Sequence, residues 1–348
     1  MNDISSVPDV VAEGPVIVVS VTYGRRWHYV RQMLQSVKSE GVDGVVVIDN
    51  GAGEDIAAAA AAEFAGFAKV VTLGANTGSA NGYRVGMETA LAEGAAYLLL
   101  IDDDNVLLPG ALAALRRAHA DKRAAAPLDN LCVYAYRPDH QPTIAAGLPT
   151  GMSLNPPDSF LRFHIADVPF KIWRRIPFVK RYYARRAAIE DCRVVRMESG
   201  PYSGLYFHRA VVDRHGFPET QLVLYSDDSE FYYRVRSSGG QIWLVVDARI
   251  EDLEKSWNVA KPFRSTFEGW LYGEGDRRIY YASRNLAWFG AHRLTRHPAI
   301  RQLNKAIYLA AMWLLAKKWR REERFSLIVQ AVRDGEAQRL GIHERYPL

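Results

Sequence analysis

The sequence predicts an α/β protein built around a parallel sheet. Short apolar segments alternate with helical segments over the first third of the chain, and the first of them, VIVVSV at 16–21, is typical of a strand buried on both faces. This spacing is that of βα units, whose crossovers make neighbouring strands parallel. With 348 residues, 49% hydrophobic and 24% charged, the chain can bury such a core. The same composition excludes a disordered chain, a collagen-like fibre and a coiled coil.

The elements follow in a regular order. The predicted strands cover 16–21, 45–48, 69–73 and 97–101. The predicted helices cover 27–40, 54–65 and 81–93, and Pro109 favours the first turn of a fourth. The first helix carries Val30, Met33, Leu34 and Val37 on one stripe, as a helix that packs on a sheet requires. After about residue 126 the alternation stops, and a helix-and-strand pattern returns at 204–251.

Composition divides the chain into three parts. An N-terminal tail, 1–14, precedes an α/β domain at 15–270, which contains an irregular basic insert at 130–200. A helical, basic C-terminal region follows at 271–348. The tail has acidic residues and no basic residue, so we do not expect it to be a secretory leader. No segment has the roughly 18 apolar residues that a membrane span needs. Cys132 and Cys192 form no CxxC pair, which favours a reducing compartment.

The strongest chemical signal is a group of three acids at the end of the fourth strand. Asp102, Asp103 and Asp104 directly follow the apolar residues LLLI. Ligands bind at the carboxyl edge of such sheets, and adjacent carboxylates there are costly unless a positive group binds them. A divalent cation that bridges to a diphosphate fits this chemistry. The alternative is a solvated loop or helix start.

Two weaker signals lie at the same predicted edge. Asp49, at the end of the second strand, can hold a ribose hydroxyl or simply close an Asx turn. The glycine-rich segment 74–86 allows close backbone approach, and Asn81 in it can cap the next helix. This segment matches neither a nicotinamide-binding fingerprint nor a Walker A loop. Alone, it is equally consistent with an ordinary turn between strand and helix.

A second acidic group occurs at 224–234, in the sequence LYSDDSEFYYR. Asp227 or Asp228 can act as a general base from a helix start, although Ser226 and these acids are also good capping residues. Asp252 lies in a third acidic stretch, where it is either a further metal ligand or part of a solvated face. The histidines have no metal-ligand spacing.

Together these segments resemble a known family. In order they read VTYGR, VIDN, NTGSANGYRVGM, IDDDN, SGLYF, SDDSEFYYRVRSSG and YYASRNLAWF, over about 16–289. The chain is similar to the inverting glycosyltransferases of family 2, which have the GT-A fold. It most resembles the galactofuranosyltransferases and rhamnosyltransferases that build bacterial cell-surface glycans. The order of the motifs is specific, whereas each motif singly is not.

The resemblance implies a role for each matching residue. Asp102 and Asp104 would bind Mn²⁺ or Mg²⁺, and Asp228, with Asp227 as its close rival, would deprotonate the acceptor hydroxyl. Asp252 stands where the family often has a late metal-binding histidine, so it would be a third metal ligand. The residues expected to contact the donor are Thr22, Tyr23, Arg25, Asp49, Asn76, Asn81, Asp102 and Asp103.

The resemblance also implies the reaction and its partners. The enzyme would transfer a sugar, galactofuranose or rhamnose, with inversion from a UDP- or dTDP-sugar to a glycan or lipid-linked glycan. It would be cytoplasmic and peripheral on the inner face of the cytoplasmic membrane. Two basic segments, 171–186 and 293–324, can bind either nucleic acid or an anionic membrane surface. Alternatively, the second segment is a core helix with a solvated basic rim. A lipid-linked acceptor favours the membrane over nucleic acid.

Two other functions remain open from the residues. A nucleotidyltransferase would show a glycine-rich loop with a basic residue after the first strand, which Gly24-Arg25-Arg26 matches only faintly. A non-catalytic protein that binds nucleotide sugars or glycans would not need the acids at 102–104 and 227–230.

Overall fold

The computed structural model describes residues 14–146, 155–187, 193–254, 263, 265–273 and 275–348. The predicted tail, apart from Gly14, lies outside these residues, as do Cys192 and parts of the predicted insert.

The predicted α/β class is confirmed. The described strands are β1 (Val16–Gly24), β2 (Gly44–Ala52), β3 (Ala68–Thr72), β4 (Tyr97–Leu100), β5 (Asn105–Leu107), β6 (Leu131–Tyr136), β7 (Val194–Arg196), β8 (Leu205–His208) and β9 (Gln241–Asp252). They form a sheet in the order β3-β2-β1-β4-β8-β6-β9-β5, with β7 also paired to β9. The first four strands are parallel, as predicted. Strand β8 runs antiparallel between β4 and β6, so the complete sheet is mixed.

Helices flank the sheet and extend beyond it. The described α-helices of the N-terminal half are α1 (Trp27–Ser39), α2 (Ile56–Phe64), α3 (Ser79–Ala92), α4 (Ala111–Lys122) and α5 (Pro142–Ala145). Those that follow are α6 (Val168–Trp173), α7 (Pro177–Ala187), α8 (Ala210–His215), α9 (Asp227–Ser237), α10 (Thr266–Tyr272), α11 (Asp276–Phe289), α12 (Pro298–Trp319) and α13 (Glu322–Glu336). Among the described helices, none is long and apolar enough to span a bilayer.

Strand β1 separates two apolar cores because successive side chains point to opposite faces of a sheet. Val16 and Val18 join the core that contains α1, α2 and α4. Ile17 and Val19 join the core that contains α3, α8 and α9. Gly86 allows α3 to lie against β1, since a Cβ at this glycine would come within 2.4 Å of a methyl group of Val19. The parallel strands are therefore covered on both sides, and their carboxyl ends open at one edge.

The C-terminal helices have an apolar cluster of their own. It joins α10, α12 and α13 to Phe160 and Leu161 of the insert. Helix α11 contacts α13 extensively, and Gly335 permits this because a Cβ there would lie 2.0 Å from the carbonyl oxygen of Arg284. The predicted helical C-terminal region is thus confirmed, and it is tied to the main domain through the insert.

Two helix starts differ from the sequence-based expectation. Helix α4 begins after Pro109, because Gly110 adopts a left-handed conformation (φ 85°) and the Glu40 carboxylate accepts bonds from the N–H groups of Gly110 and Leu112. Helix α3 begins at Ser79, so Asn81 does not cap it and instead donates to the hydroxyl of Thr77. In α3, the N–H of Ala80 donates to the carbonyl oxygen of Val223, so the start of each helix is bound by a residue distant in the sequence.

Candidate functional site

Asp102, Asp103 and Asp104 lie at the carboxyl end of β4, as the sequence predicts. The Tyr83 hydroxyl donates to Asp102 (2.7 Å), and the Thr22 hydroxyl donates to Asp103 (2.6 Å). Asp103 is buried, while the other two carboxylates are half-buried. Residues of β1 and α3 therefore hold the acids on the two sides of the strand end.

Arg26 is the nearest counter-charge of the acids. Its Nε donates to Asp103 (2.8 Å), and its other guanidinium nitrogens lie 3.0 Å from Asp104 and 2.5 Å from Glu254. The sequence pointed to Arg25, but the side chain of Arg25 is exposed and packs beside Gly53. Two adjacent arginines in a turn cannot be told apart by pattern alone.

One arginine does not neutralise this cluster. Burial, followed by the charges of Asp102 and Asp103, raises the pKa of Asp104 to about 7. Burial also raises the pKa of Asp103, against the opposing effect of Arg26. Oxygen donors with excess negative charge are what Mg²⁺ and Mn²⁺ prefer, so Asp102 and Asp104 fit a divalent cation in chemistry. Among the described residues, no group of three or more acids, histidines or cysteines is arranged to hold a metal ion.

Asp252 reaches this cluster indirectly. Its carboxylate accepts bonds from Asn105 (2.9 Å) and Arg137 (2.7 Å) and lies 2.8 Å from the ring of His140. Burial alone would raise its pKa, but the hydrogen bond with His140 and the charge of Arg137 hold the pKa of Asp252 below its usual range. Asn105 also contacts Asp104 (3.2 Å) and so links the two carboxylates. Asp252 is therefore an ionised group already bound by protein partners.

The end of β2 contacts the glycine-rich turn before α3. Asn50 donates to the carbonyl oxygen of Gly78 (3.1 Å) and accepts from the backbone N–H of Thr77 (2.8 Å). Asp49 accepts from the N–H of Ala52 (2.7 Å), three residues further on, and so fixes the turn at the end of β2. The side chain of Asn76 accepts from the N–H of Gly78 (3.0 Å). Thus the turn is held in place by side chains of β2.

A cavity of about 270 Å³ opens between these elements. Of the residues predicted to contact a donor or metal, those that line it are Tyr23, Asn76, Asp102, Asp103 and Asp104. Those that do not line it are Thr22, Arg25, Asp49, Asn81 and Asp252. Leu224 and Tyr225 also line it, together with Arg277 and Arg278 from the start of α11.

Arg26, Arg277 and Arg278 also line the cavity but are not predicted from the sequence. The two arginines of α11 lie about 175 residues from the acids in the chain, so no local spacing connects them. Only Ile279 separates them from the YYASRN motif, and this proximity in the sequence could have indicated them.

The second acidic pair lies beside the cavity, at the first turn of α9. The Ser79 hydroxyl, which lines the cavity, lies 3.3 Å from the Asp227 carboxylate. Asp228 is half-buried and accepts from the N–H of Ser229 (2.5 Å), whereas the side chain of Ser226 makes no capping bond. Burial raises the pKa of both carboxyls, and the charge of Asp228 raises that of Asp227 further. This pair is thus adapted to hold a proton at neutral pH.

The raised pKa of Asp227 gives a prediction about stability. The folded protein holds this proton more tightly than the unfolded chain, whose Asp has a pKa of 3.8, so stability declines as the pH rises through the raised value. We expect Asp227→Asn, which cannot ionise, to exceed the wild type in free energy of unfolding at pH 8 by roughly 1–3 kcal/mol. The difference should shrink towards pH 5. Urea denaturation at both pH values measures it.

The control for this prediction is Asp129→Asn. Asp129 is partly exposed and pairs with Arg214, away from the cavity. Its substitution should not give a gain that grows with pH. Equal stability of Asp227→Asn and wild type at pH 8 would contradict the proposed burial of a protonated carboxyl.

Three comparisons relate this chain to known proteins. The family described as "Glycosyl transferase family 2" matches residues 17–199. No curated protein matches the sequence. The solved structures that superpose on it include GalNAc-T7 with UDP, GalNAc and Mn²⁺, at a TM-score of 0.49 and 14% identity over 86% of this chain. This chain covers 57% of the GalNAc-T7 chain. They also include S. aureus TarS 1–349 in complex with UDP-GlcNAc, at a TM-score of 0.49 and 14% identity. This superposition covers 91% of this chain and 81% of the TarS chain.

The family match covers β1 to β7, and so includes the acids at the end of β4 and the glycine-rich turn. The predicted fold class is confirmed: an α/β domain of the GT-A type with a helical C-terminal region. Because the match spans more than half of the 348 residues, the chain belongs to glycosyl transferase family 2.

Proposed function

We propose that this protein transfers a sugar from a nucleoside-diphosphate donor, which binds in the cavity at the carboxyl edge of the sheet. One observation carries the proposal: three carboxylates and three arginines line the same cavity. This is the pattern expected for a diphosphate, because its own negative charge needs both a cation on the acids and basic side chains around it.

Each wall has a distinct task in this proposal. The end of β2 and the turn at Asn76 face the nucleoside. Arg277 and Arg278 line the same cavity as the acids and would contact the diphosphate. Asp102 and Asp104 would hold Mn²⁺ or Mg²⁺, which when bound neutralises charge on the departing nucleoside diphosphate. Asp252 would support Asp104 through Asn105.

The acidic pair supplies the base. Because Asp227 is buried beside another carboxylate, it is the one that keeps a proton at neutral pH. Asp228 is more exposed; burial raises its pKa as well, but the N–H of Ser229 and the charge of Arg162 oppose this rise and favour its ionised form. Asp228 would take the proton of the acceptor hydroxyl while the hydroxyl oxygen bonds to the anomeric carbon. The bond from that carbon to the diphosphate oxygen breaks, and its electron pair stays on that oxygen. Because the hydroxyl attacks from the opposite face, the configuration at the anomeric carbon is inverted.

The sugar and acceptor are finer proposals. Galactofuranose or rhamnose, carried by UDP or dTDP, is favoured by the joint order of motifs noted above. The acceptor is a glycan or a lipid-linked glycan of the bacterial envelope. The proposed division at about residue 270 falls within α10 (Thr266–Tyr272), which packs in the same apolar cluster as α12 and α13. Family membership disfavours a nucleotidyltransferase, and the non-catalytic alternative is decided by the experiments below.

The first experiment measures donor binding. Titration calorimetry of UDP-, dTDP- and GDP-sugars, with and without Mn²⁺, should show binding of one nucleotide class that Mn²⁺ strengthens. Asp104→Ala should lose the effect of Mn²⁺, since it removes a proposed cation ligand. Glu63→Ala, an exposed carboxylate paired with Arg31 on α1, should bind like the wild type.

Other results have clear meanings. If Mn²⁺ does not change the affinity for the donor, we would infer that Arg26, Arg277 and Arg278 neutralise the diphosphate instead of a cation. Failure to bind any donor would reject the transferase proposal.

The second experiment separates the two acids of α9. Asp228→Asn should lower kcat for sugar transfer by about 10²–10⁴-fold, because it removes the general base. Donor affinity should change little, since Asp228 does not line the cavity. Asp227→Asn should retain more activity than Asp228→Asn in the same assay. The reverse order would make Asp227 the base, and undiminished transfer in both variants would reject this pair.

We further infer that the protein binds an anionic membrane surface through α6, α7 and α12. Exposed apolar side chains are concentrated on α6, α7 and the turn between them: Ile172, Trp173, Ile176, Phe178 and Tyr182. Seven basic and no acidic residues accompany them at 171–186. Helix α12 exposes Leu303, Trp313 and Leu314 and ends in Lys317 and Lys318.

The segment that precedes α6 contacts α12. The backbone N–H of Ile165, just before α6, donates to Asn304 of α12, and Phe163 packs on Tyr308 at 5.4 Å between ring centroids. Exposed aromatic and aliphatic groups beside basic ones favour a lipid interface over nucleic acid, which does not require buried apolar contacts. A cytoplasmic protein on the inner face of the membrane would thus meet a lipid-linked acceptor.

Vesicle binding tests this inference. We expect co-sedimentation with vesicles that contain anionic phosphatidylglycerol, and much weaker binding to phosphatidylcholine alone. Phe178→Ser should lower the bound fraction several-fold, because 79% of this side chain is exposed and available to lipid. Ile342→Ser, which alters an exposed apolar residue outside these helices, should bind normally. Equal binding by both variants, or none by the wild type, would contradict the inference.

A further inference from the structure

Two side chains of α11 lie completely inside the protein at the loop that precedes the acidic pair. Arg284 is 1% exposed and Asn285 is 0% exposed. The Asn285 amide nitrogen lies 2.7, 2.8 and 2.9 Å from the carbonyl oxygens of Leu222, Leu224 and Tyr225. A buried amide that serves three carbonyl oxygens of one short loop fixes the path of that loop.

Arg284 sets the orientation of this amide. Its Nε donates to the amide oxygen of Asn285 (2.9 Å), so the amide nitrogen must face the loop. Its remaining nitrogens donate to the carbonyl oxygens of Gly341 (2.5 Å) and Leu222 (3.1 Å). Arg284 thus acts on the loop both directly and through Asn285.

The loop needs this support because its backbone is strained. Val223, Tyr225 and Ser226 have φ values of 66°, 69° and 65°, in the left-handed region that favours glycine. Val223 is β-branched, and with ψ at −63° it forms a tight turn that is rare for such residues. Strained conformations of this kind persist only where surrounding contacts determine them. Near the loop, Arg284 and Asn285 provide those contacts.

The strained loop joins the two halves of the proposed site. Leu224 and Tyr225 form part of the cavity wall, and Asp227 and Asp228 follow directly after Ser226. The carbonyl oxygen of Val223 accepts from the N–H of Ala80 in the first turn of α3 (3.2 Å). Gly78 permits this approach, since a Cβ there would lie 2.1 Å from that oxygen. The position of the loop therefore determines where the base stands relative to the donor.

We propose that Asn285, oriented by Arg284, is a positioning residue that holds the 222–226 loop so that the base faces the bound donor. Neither side chain lines the cavity, so both act through the loop backbone. This inference rests on the proposed function, because it assigns a task within the same site.

The test compares Asn285→Ala with a matched variant, Asn130→Ala. Asn130 is also buried (6% exposed) and also donates to a backbone carbonyl oxygen, that of Ser238. It precedes β6, at the opposite edge of the sheet from the cavity. We expect kcat to fall about 100-fold in Asn285→Ala, as for a misplaced catalytic group, and by less than threefold in Asn130→Ala. Hydrogen exchange at 222–228 should accelerate only in Asn285→Ala.

A second substitution distinguishes a positioning role of Asn285 from a general loss of stability. Ser226→Gly should restore part of kcat, about tenfold, in the Asn285→Ala background, because glycine adopts the left-handed conformation without strain. It should restore nothing in Asn130→Ala. If Asn285→Ala does not fold, Arg284→Lys answers the same question, since it removes the bond that orients the amide. We expect it to lower kcat about tenfold with faster exchange at 222–228.

Two results would overturn the inference: equal losses of kcat in Asn285→Ala and Asn130→Ala, or unchanged exchange at 222–228. Failure of the proposed function is distinct from both. A wild-type protein that transfers no sugar would reject the transferase, while the exchange comparison would still decide whether Asn285 holds the loop.

Discussion

The crowding of three carboxylates at the end of one buried strand is the constraint that organises this protein. Strand β4 is apolar and covered on both faces, so its last residues emerge at the sheet edge with little access to water. Charge in that position must be balanced by groups from elsewhere. Thr22 and Arg26 come from β1 and the turn after it, and Tyr83 comes from α3. The neighbouring elements are therefore bound to the acids as well as to the apolar core.

Another part of the cavity wall is held in place by different interactions. This part is the loop 222–226, whose strained backbone is stabilised by the buried side chains of Arg284 and Asn285 of α11. Helix α11 in turn packs on α13 where Gly335 lets the helices approach. The C-terminal helices thus stabilise the loop that precedes Asp227 and Asp228.

Much of this could be predicted from the sequence, because it is encoded locally. The order of the first strands and helices follows from apolar periodicity, and Asp102–Asp104 are visible as polar residues directly after an apolar run. The choice between Arg25 and Arg26 was not predictable, since it depends on the twist of one turn. The meeting of Asn285 with Leu222 was also hidden, because 63 residues separate them. The catalytic roles of Asp227 and Asp228 stay predictions, since geometry places a carboxylate but does not report on turnover.

Arg26 has a practical consequence for work with this protein. Its guanidinium bridges Asp103, Asp104 and Glu254, so the acids keep an internal counter-ion of their own. A chelator would remove an exchangeable ion from a cluster that still contains a fixed positive charge. Because Arg26 offsets only part of the charge of the acids, metal ions are best compared by adding one ion after another to the same metal-free preparation.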